Sequence, residues 1–147
     1  MSHDIIIQYA KITDLPAIQA LLRLVNLPTQ DIQAHLTNYL VLLKSDKVFG
    51  TIGLEIYGSV ALLRSLAVHP SLRGQGYGLK LFNMMHIEVR KKKIQELFLL
   101  TETAELFFSR LGFRKVSRDS VPIAIQHSSE FAFICPQSAI CMHLRLL

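Results

Sequence analysis

A glycine-rich turn between a strand pattern and a helix pattern is the segment of this chain best suited to chemistry. After an apolar run, Gly74, Gly76 and Gly78 alternate behind Arg73. Glycine permits tight turns and lets a ligand approach the backbone closely. The first N–H groups of a helix lack internal partners and lie at the positive end of its dipole, so the turn predicts an anion site suited to a pyrophosphate. Arg73 adds a fixed positive charge with paired donors.

Two well-known phosphate-binding loops do not fit this spacing. A Walker A loop requires Gly-Lys-Ser or Gly-Lys-Thr after four spacer residues, whereas Leu79 and Lys80 follow Gly78 here. A dinucleotide fingerprint requires a glycine three residues after Gly76, where Leu79 stands, and it normally follows the first strand. A flexible turn without a ligand is the remaining alternative, and three glycines behind an arginine make it the less favoured one.

The segment Arg73-Gly74-Gln75-Gly76-Tyr77-Gly78, placed after Leu66-Ala67-Val68-His69-Pro70, resembles motif A of the GNAT N-acetyltransferase superfamily. A second segment, residues 104–113, resembles the helix of that family that ends in Leu-Gly-Phe. The resemblance implies the GNAT fold, an α/β fold with a mixed central sheet whose fourth and fifth strands splay apart. It extends over nearly the whole chain, which we therefore expect to be a single domain of residues 1–147.

The resemblance also implies acetyl-coenzyme A as the cofactor. Main-chain groups at Leu66, Ala67 and Val68 would pair with its pantetheine arm, and main-chain N–H groups of the turn would bind its pyrophosphate. The turn residues assigned to it in this way are Arg73, Gly74, Gln75, Gly76, Tyr77 and Gly78. Phe108, in the second motif, is the further residue expected beside the cofactor.

Acetyl transfer to an amine requires a neutral amine, a polarised thioester carbonyl and a proton for the leaving thiolate. In the resemblance, the usual glutamate base corresponds to Leu62 and the usual tyrosine acid to Phe108, so both groups are absent. An α-amino group has a pKa of about 8 and is partly neutral at physiological pH, unlike a lysine with a pKa of about 10.4. These absences favour an α-amino acceptor or deprotonation through water.

Glu55, Arg64 and Glu130 are the candidate polar groups for the acceptor. We expect Glu55 across a hairpin from Leu62, either as a base or water relay, or as a surface charge or ion-pair partner of Arg64. Arg64 is expected either to hold a substrate carboxylate through two hydrogen bonds or to pair with Glu55. Glu130 is expected to be a solvated loop charge, with contact to a substrate ammonium as the alternative.

Residues 62–68 and 121–139 resemble a GNAT branch associated with arsenic-resistance operons, which is similar to bacterial amino-acid N-acetyltransferases of the glutamate type. This resemblance implies direct transfer of the acetyl group to a small, amino-acid-like amine, with a homodimer left open as the assembly. An acetyl-coenzyme A-binding regulatory module is one alternative, because the usual glutamate and tyrosine are missing. A protein or peptide N-acetyltransferase is the other.

The hydrophobic periodicity predicts the elements that position these residues. The predicted strands are 5–9, 39–43, 48–57, 60–68, 97–100, 113–116 and 140–146. The first predicted helix has Thr13 as its N-cap and apolar residues from 18 to 25, and a short second one covers 31–36. The third begins at Gly78 and ends in the basic run of residues 90–93, and the fourth covers 104–111 and is ended by Gly112. Residues 117–138 form a long connection, and long connections are often functional.

Composition excludes several classes of protein. Half of the 147 residues are hydrophobic and mean hydropathy is +0.33, which excludes a disordered chain, and no apolar run is long enough to span a membrane. Cys135 and Cys141 form neither a disulfide framework nor a recognised metal-ligand spacing, and the first residues do not resemble a signal peptide, so a cytoplasmic protein is expected. The whole net charge of +5 lies in residues 73–147, where a phosphorylated cofactor is a more economical partner than nucleic acid.

Overall fold

The computed structural model describes residues 4–134 and 138–146. Its strands are β1 (Ile5–Tyr9), β2 (Tyr39–Lys44), β3 (Lys47–Tyr57), β4 (Val60–Val68), β5 (Glu96–Thr101), β6 (Arg114–Lys115) and β7 (Ile140–Arg145). Its α-helices are α1 (Leu15–Leu24), α2 (Tyr77–Lys91), α3 (Glu105–Arg110) and α4 (Ile123–Gln126). Short 3₁₀-helices and one π-helical turn, Glu130–Ile134, connect them. None of the described helices is both long and apolar enough to cross a membrane.

The strands form a seven-stranded mixed sheet in the order β1-β2-β3-β4-β5-β7-β6, which confirms the predicted α/β class. β1 with β2, β2 with β3, β5 with β7 and β6 with β7 pair antiparallel, whereas β4 and β5 pair parallel. The parallel register runs from Val60 opposite Glu96 to Leu62 opposite Phe98, although β4 itself continues to Val68.

The chain divides into two compact units, one of residues up to 54 with 65–88, the other of residues 55–64 with the chain from 89 onward. In the first unit, α1 buries Ile18, Leu21 and Leu22 in a core that also contains Tyr39 and Ala67. Apolar residues three and four apart on α1 form this buried face. The expectation of a single domain stays a prediction.

The predicted helix start at Thr13 is wrong. A 3₁₀ turn occupies Ile12–Asp14, and α1 begins at Leu15 with Asp14 as its N-cap and a proline in its first turn. Pro16 fits there because the first helical N–H groups need no internal acceptor, and its own N–H is missing. The short helix predicted over 31–36 is present as a 3₁₀-helix, Gln33–Asn38, since so short a segment rarely sustains an α-helix.

In the second unit, the connection between β6 and β7 is packed over residues 116–134, the longer of its described parts. It contains a 3₁₀ turn, α4 and the π-helical turn. Side chains from all along it, at Val121, Ile125 and Phe131, lie in one core with others from β4, β5 and β7, namely Leu62, Phe98 and Cys141. Burial raises the pKa of the Cys141 thiol to about 11, against a smaller lowering by the Arg118 guanidinium, so this cysteine is an inert core residue. Cys135 lies outside the described residues.

Candidate active site

The glycine-rich turn lies between the end of β4 and the start of α2, in the first unit. A 3₁₀ turn, Pro70–Leu72, leads into it, and Nδ1 of His69 accepts a hydrogen bond from the Ser71 N–H at 3.1 Å. Gly74 and Gly76 have φ angles of +77° and +83°, in the left-handed region that glycine adopts without steric cost. The conformation of the turn thus explains two of its three glycines, whereas Gly78 lies inside α2.

The turn has the shape and charge that an anion requires. A Cβ atom built on Gly74 or Gly76 would meet nothing within 4 Å, so the surface above both residues is open. The Lys80 N–H donates to the Gly76 carbonyl at 3.1 Å, which places the preceding N–H groups at the helix N-terminus, where an α-helix provides no internal acceptor. Arg73 is exposed beside them. These features fit the pyrophosphate of a nucleotide cofactor.

The last residues of β4 differ in exposure. Leu66 and Val68 are half-buried, whereas Ala67 is buried in the core of the first unit. Ser65, directly before them, has a φ angle of +59°, an unusual value for a non-glycine residue within a strand. The backbone of β4 is therefore irregular immediately before the three residues that the resemblance assigns to the cofactor.

A cluster of three buried charged residues, Glu55, Arg64 and Glu130, lies in the second unit together with the half-buried Tyr57. Arg64 Nη1 donates to Glu55 Oε2 at 2.7 Å, and Arg64 Nε lies 3.3 Å from Glu130 Oε2. Tyr57 donates its hydroxyl proton to Glu55 Oε1 at 2.5 Å. The side chains of Arg64, Glu55 and Glu130 are 0%, 2% and 6% exposed. Buried charges are tolerated only when they are paired and hydrogen-bonded, and these contacts provide that pairing.

The contacts of this cluster decide whether Glu55 and Glu130 are exposed and which residue each of them pairs with. Glu55 and Arg64 form an ion pair, so Glu55 is not a surface charge. The expectation that Glu130 is a solvated loop charge is wrong, because the packed connection carries its carboxylate to Arg64. The sequence analysis did not identify Tyr57 as a residue of this cluster. A signal was available, because residues two apart on a strand share a face and Tyr57 follows Glu55 by two residues on β3.

Leu62 and Phe108, to which the resemblance assigns the positions of the usual base and acid, are apolar core residues. Leu62 is 0% exposed and belongs to the core of the second unit. Phe108 is 7% exposed, and its ring lies 5.2 Å from that of Phe107 and 5.5 Å from that of Phe113, centroid to centroid. Both tilted pairs are favourable aromatic contacts, so Phe108 contributes to packing within its unit.

Comparison with known proteins identifies the family. The family model described as "Acetyltransferase (GNAT) domain" matches residues 35–115. An amino-acid acetyltransferase of Vibrio vulnificus is 26% identical over 127 residues, which cover 80% of this chain and 28% of that protein. The chain thus spans less than a third of the curated relative. The narrower resemblance to the arsenic-resistance branch stays a prediction.

Solved structures share the fold. N-acetylglutamate synthase from Neisseria gonorrhoeae, complexed with coenzyme A and N-acetyl-glutamate, has a TM-score of 0.83 at 21% identity, over 100% of this chain and 36% of that one. The Rv2747 protein of Mycobacterium tuberculosis, in complex with coenzyme A, has a TM-score of 0.80 at 23% identity, over 97% and 99% of the two chains. Because the family model also matches more than half of the sequence, the chain belongs to the GNAT acetyltransferase family.

Proposed function

We propose that this acetyltransferase moves the acetyl group of acetyl-coenzyme A directly to the amine of a small, amino-acid-like substrate. Family membership supports the reaction. The observation that carries the cofactor assignment is the open glycine turn, with left-handed Gly74 and Gly76 before the N-terminus of α2. The names of similar proteins, an amino-acid acetyltransferase and an N-acetylglutamate synthase, support the acceptor class.

On the cofactor side, we assign the pyrophosphate to the main-chain N–H groups of residues 73–78 and a phosphate charge to Arg73. The pantetheine arm is assigned to the main chain at Leu66, Ala67 and Val68, and Phe108 is the apolar residue assigned to the cofactor. When bound, acetyl-coenzyme A supplies an activated thioester. The protein contributes position and fixed partial charges, which favour an anion without any proton transfer at the turn.

The assignment of Arg73 makes cofactor affinity dependent on salt. Exposed charges are screened over about 10 Å at 0.1 M ionic strength, so the affinity of the wild type for coenzyme A is expected to fall as salt rises. Arg73→Ala is expected to weaken binding at low salt and to flatten this dependence, measured by calorimetry from 0.05 to 0.5 M NaCl. Arg90→Ala removes an exposed charge at the other end of α2 and is the matched control. If coenzyme A affinity depends on salt equally in the wild type and in Arg73→Ala, Arg73 does not contact a phosphate.

On the acceptor side, we propose that Glu55 takes a proton from the substrate ammonium, directly or through a water molecule. The neutral amine would then attack the acetyl carbonyl carbon, the carbon–sulfur bond of the thioester would break, and the proton that the amine nitrogen loses would neutralise the departing thiolate. Arg64 orients Glu55 through the 2.7 Å hydrogen bond. Because its Nη1 and Nε already face carboxylates, we favour this role for Arg64 over holding a substrate carboxylate.

Loss of the Glu55 carboxylate should lower kcat in a pH-dependent way. Glu55→Gln is expected to lower kcat at least tenfold at pH 7, where only about a tenth of an α-amino group is neutral. The rate should return toward that of the wild type by pH 9, because the amine then loses its proton without help. Glu96→Gln, which removes a half-buried carboxylate bonded to His143, is the control. Equal relative rates for Glu55→Gln at both pH values, together with a lowered melting temperature, would assign Glu55 to structure alone.

The acceptor class is tested with a coupled assay for released thiol. The panel contains free amino acids, their decarboxylated amines, polyamines and short peptides. Turnover of free amino acids with little turnover of peptides would support the proposal. Acetylation of peptides but not of amino acids would assign the chain to protein acetylation, and binding of coenzyme A with no turnover of any amine would leave a regulatory module.

A further inference from the structure

Ser65 is the place where β4 departs from regular strand geometry. Its φ angle is +59°. The other described non-glycine residues with positive φ, namely Asn26, Asp31, Ser45, Asp46 and Lys93, all lie in turns. A left-handed residue inside a strand redirects the backbone, as in a β-bulge. Serine has no intrinsic preference for that region, so contacts from the surrounding residues must hold it there.

The side chain of Tyr39 supplies such a contact. Its hydroxyl lies 2.7 Å from Ser65 Oγ, where either oxygen can donate, and the residue is 0% exposed. Tyr39 is on β2 and Ser65 is on β4, so the ring must pass over the strand between them. That strand has Gly53 opposite Tyr39.

Gly53 leaves the space that the ring occupies. A Cβ atom at Gly53 would lie 2.2 to 2.6 Å from three ring carbons of Tyr39, closer than any real contact. The missing side chain therefore lets the ring cross β3 and bring its hydroxyl to β4. Three strands thus contribute to one hydrogen bond at the irregular residue of β4.

We propose that Tyr39 and Ser65 are positioning residues for the cofactor. Their hydrogen bond fixes the left-handed conformation of Ser65 and so sets the direction of the main chain from Leu66 to Val68. This inference rests on the proposed function, which assigns that main chain to the pantetheine arm. Tyr39 acts through Ser65 and not by touching the cofactor. Loss of its hydroxyl is therefore expected to change the affinity for the cofactor and not the rate of proton transfer.

The test measures the affinity for coenzyme A of Tyr39→Phe and Ser65→Ala by calorimetry, beside thermal melts. Each variant removes one hydroxyl and leaves the rest of the side chain in place. A hydrogen bond of this kind is worth about a fivefold to tenfold change in an equilibrium constant. Each variant should lower the affinity for coenzyme A by that factor. The double variant should lower the affinity no more than the stronger single variant does. The KM for the amine should stay within twofold.

Thr51→Val is the matched control. Thr51 lies two residues from Gly53, is 0% exposed and donates its hydroxyl to the Leu40 carbonyl at 3.2 Å, so the variant also loses one buried hydrogen bond on the same sheet. It should lower the melting temperature and leave coenzyme A affinity within twofold. If Tyr39→Phe and Ser65→Ala behave as Thr51→Val does, the pair is only structural and the inference is overturned. Since the binding measurement contains no amine, failure of the proposed acceptor class leaves its result intact.

Discussion

Gly76→Asp is expected to weaken coenzyme A binding at least 100-fold, or about 2.7 kcal/mol, while the protein stays folded. The change places a carboxylate where the proposed function puts the pyrophosphate. A steric clash within the protein does not contribute to this loss, because a Cβ at this position meets no atom within 4 Å. The loss should therefore be electrostatic and local, measured by calorimetry against a melting curve for the same sample.

Gly58→Asp is the matched control for this experiment. Gly58 also has a positive φ angle, +66°, and open space around a built Cβ, but it lies in the turn between β3 and β4. The two variants thus carry the same charge and the same backbone cost, and aspartate is among the residues that tolerate left-handed angles best. Affinity equal to that of the wild type in Gly76→Asp, or equal losses in both variants, would refute the cofactor assignment of the turn.

Arg64→Ala is expected to lower the free energy of unfolding by about 3–5 kcal/mol, because it leaves the carboxylates of Glu55 and Glu130 buried without their shared cation. For a chain of this length, that loss corresponds to a fall in melting temperature of roughly 6–20 °C. Arg64→Lys should cost less than Arg64→Ala, since it keeps the charge but cannot present the guanidinium fork to two carboxylates.

Lys115→Ala is the control for the buried cluster. Lys115 lies 4.0 Å from Glu105, and the two side chains are 63% and 43% exposed. An exposed pair of this kind contributes about 0–1 kcal/mol, so the melting temperature should hardly change. A similar small effect in Arg64→Ala would mean that Arg64 does not hold the two glutamates in solution.

Most of the fold and the glycine-rich turn were predictable because their signals are local in sequence. A β-branched run marked β1, and a left-handed glycine, Gly112 at φ +101°, ends α3 where the sequence placed it. The turn of residues 73–78 likewise consists of neighbours in the chain, so residue type and spacing sufficed to find it.

The remaining features depend on contacts between distant residues, which periodicity does not report. Glu130 is buried because the connection folds back to Arg64, 66 positions earlier in the sequence. Tyr39 reaches Ser65 only because position 53 lacks a side chain. Neither a glutamate in a long connection nor a tyrosine at the start of a strand predicts such a partner, since their exposure is decided by the tertiary structure.

The shortness of β6 limits association of this strand with other molecules at high protein concentration. β6 is one edge of the sheet, and it consists of Arg114 and Lys115 alone, both exposed. An edge strand exposes unpaired backbone groups that can recruit strands of other molecules, and long apolar edges are therefore aggregation-prone. Two residues offer too few hydrogen bonds for such growth, and their like charges repel the same edge of another copy. β6 itself is therefore a poor template for fibril-like association at high protein concentration.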